Sequence, residues 1–303
     1  MQSRREFLIR SSEFAAAGVL AAAVPKPLLA NALGKPIGLQ LYTVGAQLDQ
    51  DFEGTLKQIA AIGYQEVELA GAHGKKAAEL KKSLDDAGLH CSSVHIGQGG
   101  IEESITYANE LGSTYVISSV LLPKPPAKRS MEGFMEALNA LTLDDYKSMA
   151  QKANEMGEQA KKAGLQFGYH NHNFEFKPHP EGTGYDTLLQ STDPGLVKLE
   201  LDCGWMSAAG HDPAAYLKKY PHRYRLLHIK DFKPTEKPSV SLDPAMRPAP
   251  AELGRGHVDY APIFAAAKHS DVEWYFVEQE PPFKETPALE AIKIDYDYLH
   301  KMA

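Results

Sequence analysis

Cysteine is almost missing: Cys91 and Cys203 are the only two in 303 residues, far apart and each inside an apolar segment. Two such thiols exclude a disulfide framework and any metal site built on paired cysteines. No GxGxxG loop follows the first apolar strand, so a doubly wound dinucleotide-binding sheet lacks its main mark. Positive charge is in deficit as well. Lys and Arg number 32 against 39 Asp and Glu, a net charge of −7, which argues against binding nucleic acid through its phosphates. No Pro/Gly-rich linker splits the chain, and the longest apolar run, residues 14–24, is too short and alanine-rich for a stable membrane span.

That run does have a meaning in context. Arg4 and Arg5 precede Phe7 and Leu8, and small residues stand at Ala30 and Ala32. The pattern looks like a twin-arginine export signal over residues 1–32, followed by one domain over 33–303. Such a signal predicts a periplasmic protein, with the twin-arginine translocon as a transient partner. Because that route carries folded chains, it also predicts a metal or cofactor inserted before export.

Past residue 36 the chain repeats a unit of short apolar strand, turn and amphipathic helix. Strands are predicted at 37–44 (IGLQLYTV), 66–70, 89–96, 115–120, 165–174, 197–202, 224–229 and 274–278. Helices at 52–62, 75–87 and 101–111, and a long helical region reaching 163, each stop at a glycine, a natural C-cap. Eight strands alternating with helices over one domain predict an α/β fold, the (β/α)8 TIM barrel. The proline-rich stretch 233–256 is the one long irregular segment and is expected to form a lid or a partner surface.

The residues that carry chemistry collect in GYHNHNFEF, residues 168–176. Read as a strand, its alternation turns His170 and His172 to one face. In a barrel the active site lies at the carboxyl ends of the strands, and there this sequence places Gln40, Glu68, His95, His170, His172, Glu175, Asp202, His228, Lys230, Asp231, Glu278 and Glu280. His170, Asp202, His228 and Glu278 have the composition of a divalent-metal site, with Glu175 as an alternative to His170. Mixed imidazole and carboxylate donors favour Mn²⁺ or Zn²⁺, with Co²⁺, Fe²⁺ or Mg²⁺ as further candidates. Glu175 or Glu278 is the candidate base, and Lys230 or His172 the candidate acid. Gln40, Glu68, His95, Trp205 and Asp231 are the candidate substrate-binding residues.

In order, QLYTV, EVELAG, VHIG, YHNHNFEF, ELDCGW, LHIKD, GRGHVDY and FVEQE resemble the sugar phosphate isomerase/epimerase family of xylose isomerase-like TIM barrels. The resemblance implies Asp202, His228 and Glu278 as ligands of one divalent metal. It further implies a small-molecule sugar or keto-sugar substrate, an isomerase or epimerase acting through an enediolate, and the possibility of a homo-oligomer. At the fifth strand the epimerases of that family carry a metal-bound glutamate, whereas this chain has His170, a pattern closer to the dehydratase and keto-glycoside-processing branches. A lyase or hydratase acting on 3-keto-glycosides or inososes is therefore the alternative. A secreted sugar-binding barrel without catalysis is the alternative of another class, and an intact ligand set argues against it.

Overall fold

The computed structural model describes residues 31–243 and 245–302, so the twin-arginine segment expected over residues 1–32 lies almost wholly outside the described residues. Eight parallel strands close into a barrel. They are β1 (Gly38–Gln40), β2 (Glu66–Leu69), β3 (His90–His95), β4 (Tyr115–Ser118), β5 (Gln166–His170), β6 (Val197–Asp202), β7 (Tyr224–Ile229) and β8 (Trp274–Val277). β1 hydrogen-bonds to both β2 and β8, which leaves no free edge. The expected (β/α)8 architecture is the one the chain adopts. Among the described residues, no helix is long and apolar enough to cross a membrane.

Alternation along each strand divides the core in two. Val197, Leu199 and Leu201 of β6 belong to the large cluster between strands and helices, while Glu200 and Asp202 take the opposite face and point into the lumen. Tyr115, Ile117, Leu226 and Phe276 form a separate cluster, packed inside the barrel beneath the polar rim. Glycine makes room for this plug. A Cβ at Gly38 would run into the Phe276 ring and the Tyr275 carbonyl, and one at Gly168 would press on the tip of Ile117, so glycine at both positions relieves crowding around the plug. The lumen is thus apolar below and ionisable above.

Two strands end sooner than the apolar pattern predicts, for the same physical reason. The Gln40 side chain accepts the Tyr42 N–H at 3.0 Å and turns 41–44 into a short 3₁₀ helix. At β5, Glu175 accepts the His172 N–H at 3.0 Å and folds Phe174–Phe176 into a second 3₁₀ turn. Side-chain acceptors here outcompete the strand ladder. The predicted long helical region is two helices, Met131–Asn139 and Leu143–Lys162, the second opened by a Thr142/Asp145 capping box. Residues 233–256 are mostly irregular, pinned where Asp231–Phe232 pairs antiparallel with Pro250–Ala251.

Candidate active site

Strand register assembles the site. His170 stands beside Glu200, Asp202 beside His228, and Gln40 beside Glu68, so each pair shares the lumenal face at one height. Backbone clamps hold the ends of β6 and β7 in place. Asn171 Oδ1 accepts the Asp202 N–H at 3.1 Å. The Tyr260 hydroxyl accepts the Lys230 N–H at 2.8 Å and donates to the Lys230 carbonyl at 2.6 Å. Asp202 also caps the helix Cys203–Ala208, with Oδ1 accepting the Trp205 N–H at 2.8 Å.

Four side chains converge tightly. His170, Asp202, His228 and Glu278 each present one donor atom, all within 4.8 Å of one another. His95, His170, Glu200 and His228 satisfy the same measure deeper in the barrel. Hydrogen bonding separates the two sets. Glu200 Oε2 lies 3.0 Å from His170 Nδ1; with the proton on Nδ1, the Nε2 lone pair is left facing Asp202 Oδ2 at 3.8 Å. Asp202 Oδ2 is buried without a hydrogen-bond donor; Lys230 Nζ is 3.1 Å away but poorly aligned for one. An orphaned carboxylate oxygen beside two imidazoles is the donor set a divalent cation suits, with His170, Asp202, His228 and Glu278 as the candidate ligands and Glu200 behind them.

Charge sets the two imidazoles apart. Asp202, Glu278 and Glu280 surround the single ammonium of Lys230, while Glu68 and Glu200 face His228 Nε2. Burial works against the Lys230 charge, yet Asp202, Glu278 and Glu280 outweigh it and hold its pKa well above the usual lysine range. Burial likewise opposes protonation of His228, but Glu200 and Glu68 outweigh it and raise its pKa far above the ordinary value. His170, buried among His228, His172 and His95, is pushed strongly down and is neutral. A neutral imidazole is the form that can bind metal, so His170 is ready to ligate as it stands, whereas His228 has to give up a proton to do so.

Residues 56–301 match the family described as xylose isomerase-like TIM barrel. The chain belongs to that family. Among similar solved structures, a sugar phosphate isomerase/epimerase from Parabacteroides distasonis is 28% identical, with a TM-score of 0.67 over 88% of this chain and 94% of its own. A second structure so named, from the same organism, is 25% identical, with a TM-score of 0.69 over 87% of this chain and 97% of its own. An inosose dehydratase of Clostridium botulinum is 26% identical over 258 residues, 77% of this chain and 83% of that protein.

Within this xylose isomerase-like barrel the remaining expected residues fall into three groups. Gln40, Glu68 and His95 form one hydrogen-bonded network, with Glu68 accepting from Gln40 Nε2 at 2.8 Å and from Ser93, and facing His95 Nε2 at 3.0 Å and His228 Nε2. His172 leaves the strand, but its ring sits 5.0 Å from that of His170, so it still overlooks the cluster; burial and the nearby Lys230 lower its pKa to about 3. Lys230 joins the rim directly.

Three residues are placed differently from expectation. Glu175 is fully buried with Oε1 accepting from Tyr169 Oη at 2.9 Å and Oε2 from the His172 N–H. It supports the turn, and burial pushes its pKa to about 8. Asp231 accepts five backbone N–H groups, from Phe232, Gly254, Gly256, His257 and Val258, at 2.9 to 3.1 Å. Both its oxygens are spent on holding that loop, leaving none for a substrate. Trp205 is fully buried against Phe232, with Lys230 Nζ 5.3 Å above its ring. The aromatic that does reach solvent at the rim is Tyr42, which is 49% exposed.

Glu200, the residue the motif reading passed over, orders His170. Its signal is in VKLELD: Glu200 lies two residues before Asp202 and so shares its face.

Proposed function

We propose that this protein is a divalent-metal-dependent lyase that eliminates water or an alcohol from the carbon beta to a ketone, on an inosose-like ring or a 3-keto-glycoside. The observation that carries this reading is the asymmetry of the bases. Strand five presents the imidazole of His170 to the cluster, and the nearest carboxylate in sequence, Glu175, is turned away to Tyr169 and the His172 N–H. Epimerisation by two bases needs one on each face of the reacting carbon, whereas elimination needs one base and one acid. Relatives named inosose dehydratase, at 24–26% identity, support the same direction.

The residues divide the work as follows. A bound Mn²⁺ or Zn²⁺ would polarise the ketone and acidify the neighbouring C–H. Glu278 is mostly buried at the rim, and the charges of Lys230 and His228 overcome its burial to hold its pKa far below the carboxylate range, so it is ionised, and it is the rim carboxylate assigned to take the alpha proton. The C–H electron pair becomes the new C=C bond, the beta C–O bond breaks, and Lys230 gives its proton to the departing oxygen. Glu68 and His95 line the floor, and Tyr42 stands at the mouth.

The test is incubation of the metal-loaded protein with an inosose and with 3-keto-glycosides in D₂O. An unsaturated ketone formed with loss of water or alcohol supports the reading; a product with nothing lost, inverted or moved substituents and at most deuterium gained at carbon means isomerisation. Export belongs to the proposal as well: replacing Arg4 and Arg5 by Lys is expected to hold the protein in the cytoplasm, and undiminished periplasmic delivery of that variant would refute it.

A further inference from the structure

We infer that the cleft above β3 binds a neutral second sugar ring, which makes the substrate a glycoside rather than a free ring or a sugar phosphate. The inference rests on the lyase reading above and narrows its substrate class. The cleft lies across the carboxyl ends of β2, β3 and β4, encloses about 780 Å³ and is bordered by His95, Ile96, Gly97, Gln98, Glu103 and Tyr107. That volume falls within the range of about 300–1,000 Å³ usual for organic ligands. It adjoins the candidate metal centre directly. His95 borders the cleft, and its ring lies 5.5 Å from that of His170 and 5.9 Å from that of His228. A substrate whose reacting carbon sits over His170 and Glu278 therefore has room to extend across His95.

The lining decides what extends there. Among the described residues, no lysine or arginine borders the cleft. A phosphate would have to desolvate beside Glu103 without a cation to compensate, which is costly. The amide of Gln98, the hydroxyl of Ser119 and the ring of Tyr107 suit a sugar, which offers hydroxyls and apolar C–H faces together. The basic groove on the other side of the rim does not supply the missing charge, since Lys233 pairs with Glu285 and Arg247 with Glu280.

Gly97 gives a direct test. A Cβ at that position meets no atom within 4 Å, so Gly97→Phe fills open space at the cleft wall without a clash from its first carbon. Binding is measured by calorimetry on the full chain loaded with Mn²⁺ or Zn²⁺, using 3-ketoglucose, 3-keto-cellobiose, 3-keto-maltose and glucose 6-phosphate as probes. Expected is at least tenfold tighter binding of one keto-disaccharide than of 3-ketoglucose, a ratio that collapses toward one in Gly97→Phe, and no gain from the phosphate. Gln98→Trp, on the exposed loop of the same wall, replaces Gly97→Phe should that variant melt early. Equal binding of ring and disaccharides, a preference for the phosphate, or a ratio unmoved by either substitution overturns the inference. Turnover is read separately. Tight, Gly97-dependent disaccharide binding without elimination sinks the lyase reading and leaves the cleft; equal binding and elimination of ring and glycoside sinks the cleft and leaves the lyase.

Discussion

Lys230 Nζ lies 2.8 Å from Glu278 Oε2. Asp202 Oδ2 and Glu280 Oε1 each stand 3.1 Å from the same nitrogen, and Arg247 engages the other oxygen of Glu280. One buried ammonium thus holds three carboxylates together, and the irregular 233–256 segment is tied to the rim through Arg247. Lys230→Met keeps the stem and removes the charge. Breaking such a buried pair costs about 3–5 kcal/mol, and losing a positioned acid costs about 10²–10⁴ in rate. Expected, then, are a lower denaturation midpoint and near-complete loss of turnover with metal still bound, because a cation gains from the uncompensated carboxylates. Loss of metal on a par with His170→Ala would make Lys230 part of the metal framework instead.

Glu278 and Glu175 are separated by one pair of variants. Glu278→Gln takes an anionic donor from the metal as well as the base from the reaction, so weaker metal binding and, at saturating metal, a loss of about 10²–10⁴ in rate are expected. Glu175→Gln can accept the His172 N–H with its carbonyl oxygen and donate its amide to the Tyr169 hydroxyl, so the turn survives and activity stays within a few-fold of the parent. Deuterium exchange at the substrate alpha carbon reads this directly. Exchange lost in Glu175→Gln and kept in Glu278→Gln would return the base to Glu175.

At the metal, His170→Ala removes one of four donors and is expected to lose most bound metal. Glu200→Gln leaves every donor in place and disturbs only the orientation and basicity of His170, for an expected 10- to 100-fold weaker affinity by the usual effect of outer-shell partners. Metal content by mass spectrometry, followed by competitive titration, distinguishes the two. Unchanged affinity in Glu200→Gln would remove Glu200 from the assembly.

Far from the rim, Asp295 is buried in the last helix, Ala288–Lys301, where Oδ1 accepts the Leu253 N–H at 2.7 Å. Burial, aided by the Glu252 and Asp231 charges, raises its pKa from 3.8 to about 8. Between those values the folded chain binds one proton more than the unfolded chain, so stability falls as pH rises from about 4 to about 8. Asp295→Asn keeps the acceptor and removes the titration. Its stability relative to the parent is expected to grow across that window in urea denaturation at a series of pH values. A constant difference would show that Asp295 titrates normally.

Much of this architecture was legible in the chain. The strand and helix rhythm and the helix-ending glycines are local signals, set by side-chain period and by φ angles that glycine alone adopts freely, and they led to the barrel. The strand-end rule then identifies His170, Asp202, His228, Glu278 and Lys230 as rim residues. Period alone could not see the breaks in that pattern. Gln40 and Glu175 end their strands early through single side-chain hydrogen bonds to backbone N–H groups, and in the sequence each reads as one more rim residue.

What each rim residue touches was decided only by closure of the barrel. Glu68 and His228 are 160 positions apart, yet they bond because β1 pairs with both β2 and β8 and brings the two ends of the chain round to one lumen. Asp231 and Trp205 sit at strand ends as readily as any ligand, but one is consumed by five backbone N–H groups and the other sealed beneath Phe232 and His172. Residue type and period select the face and the height of a side chain. Its partners are set by the inter-strand register and by loop backbone from distant parts of the chain, because satisfying buried polar groups is a long-range constraint that no local spacing encodes.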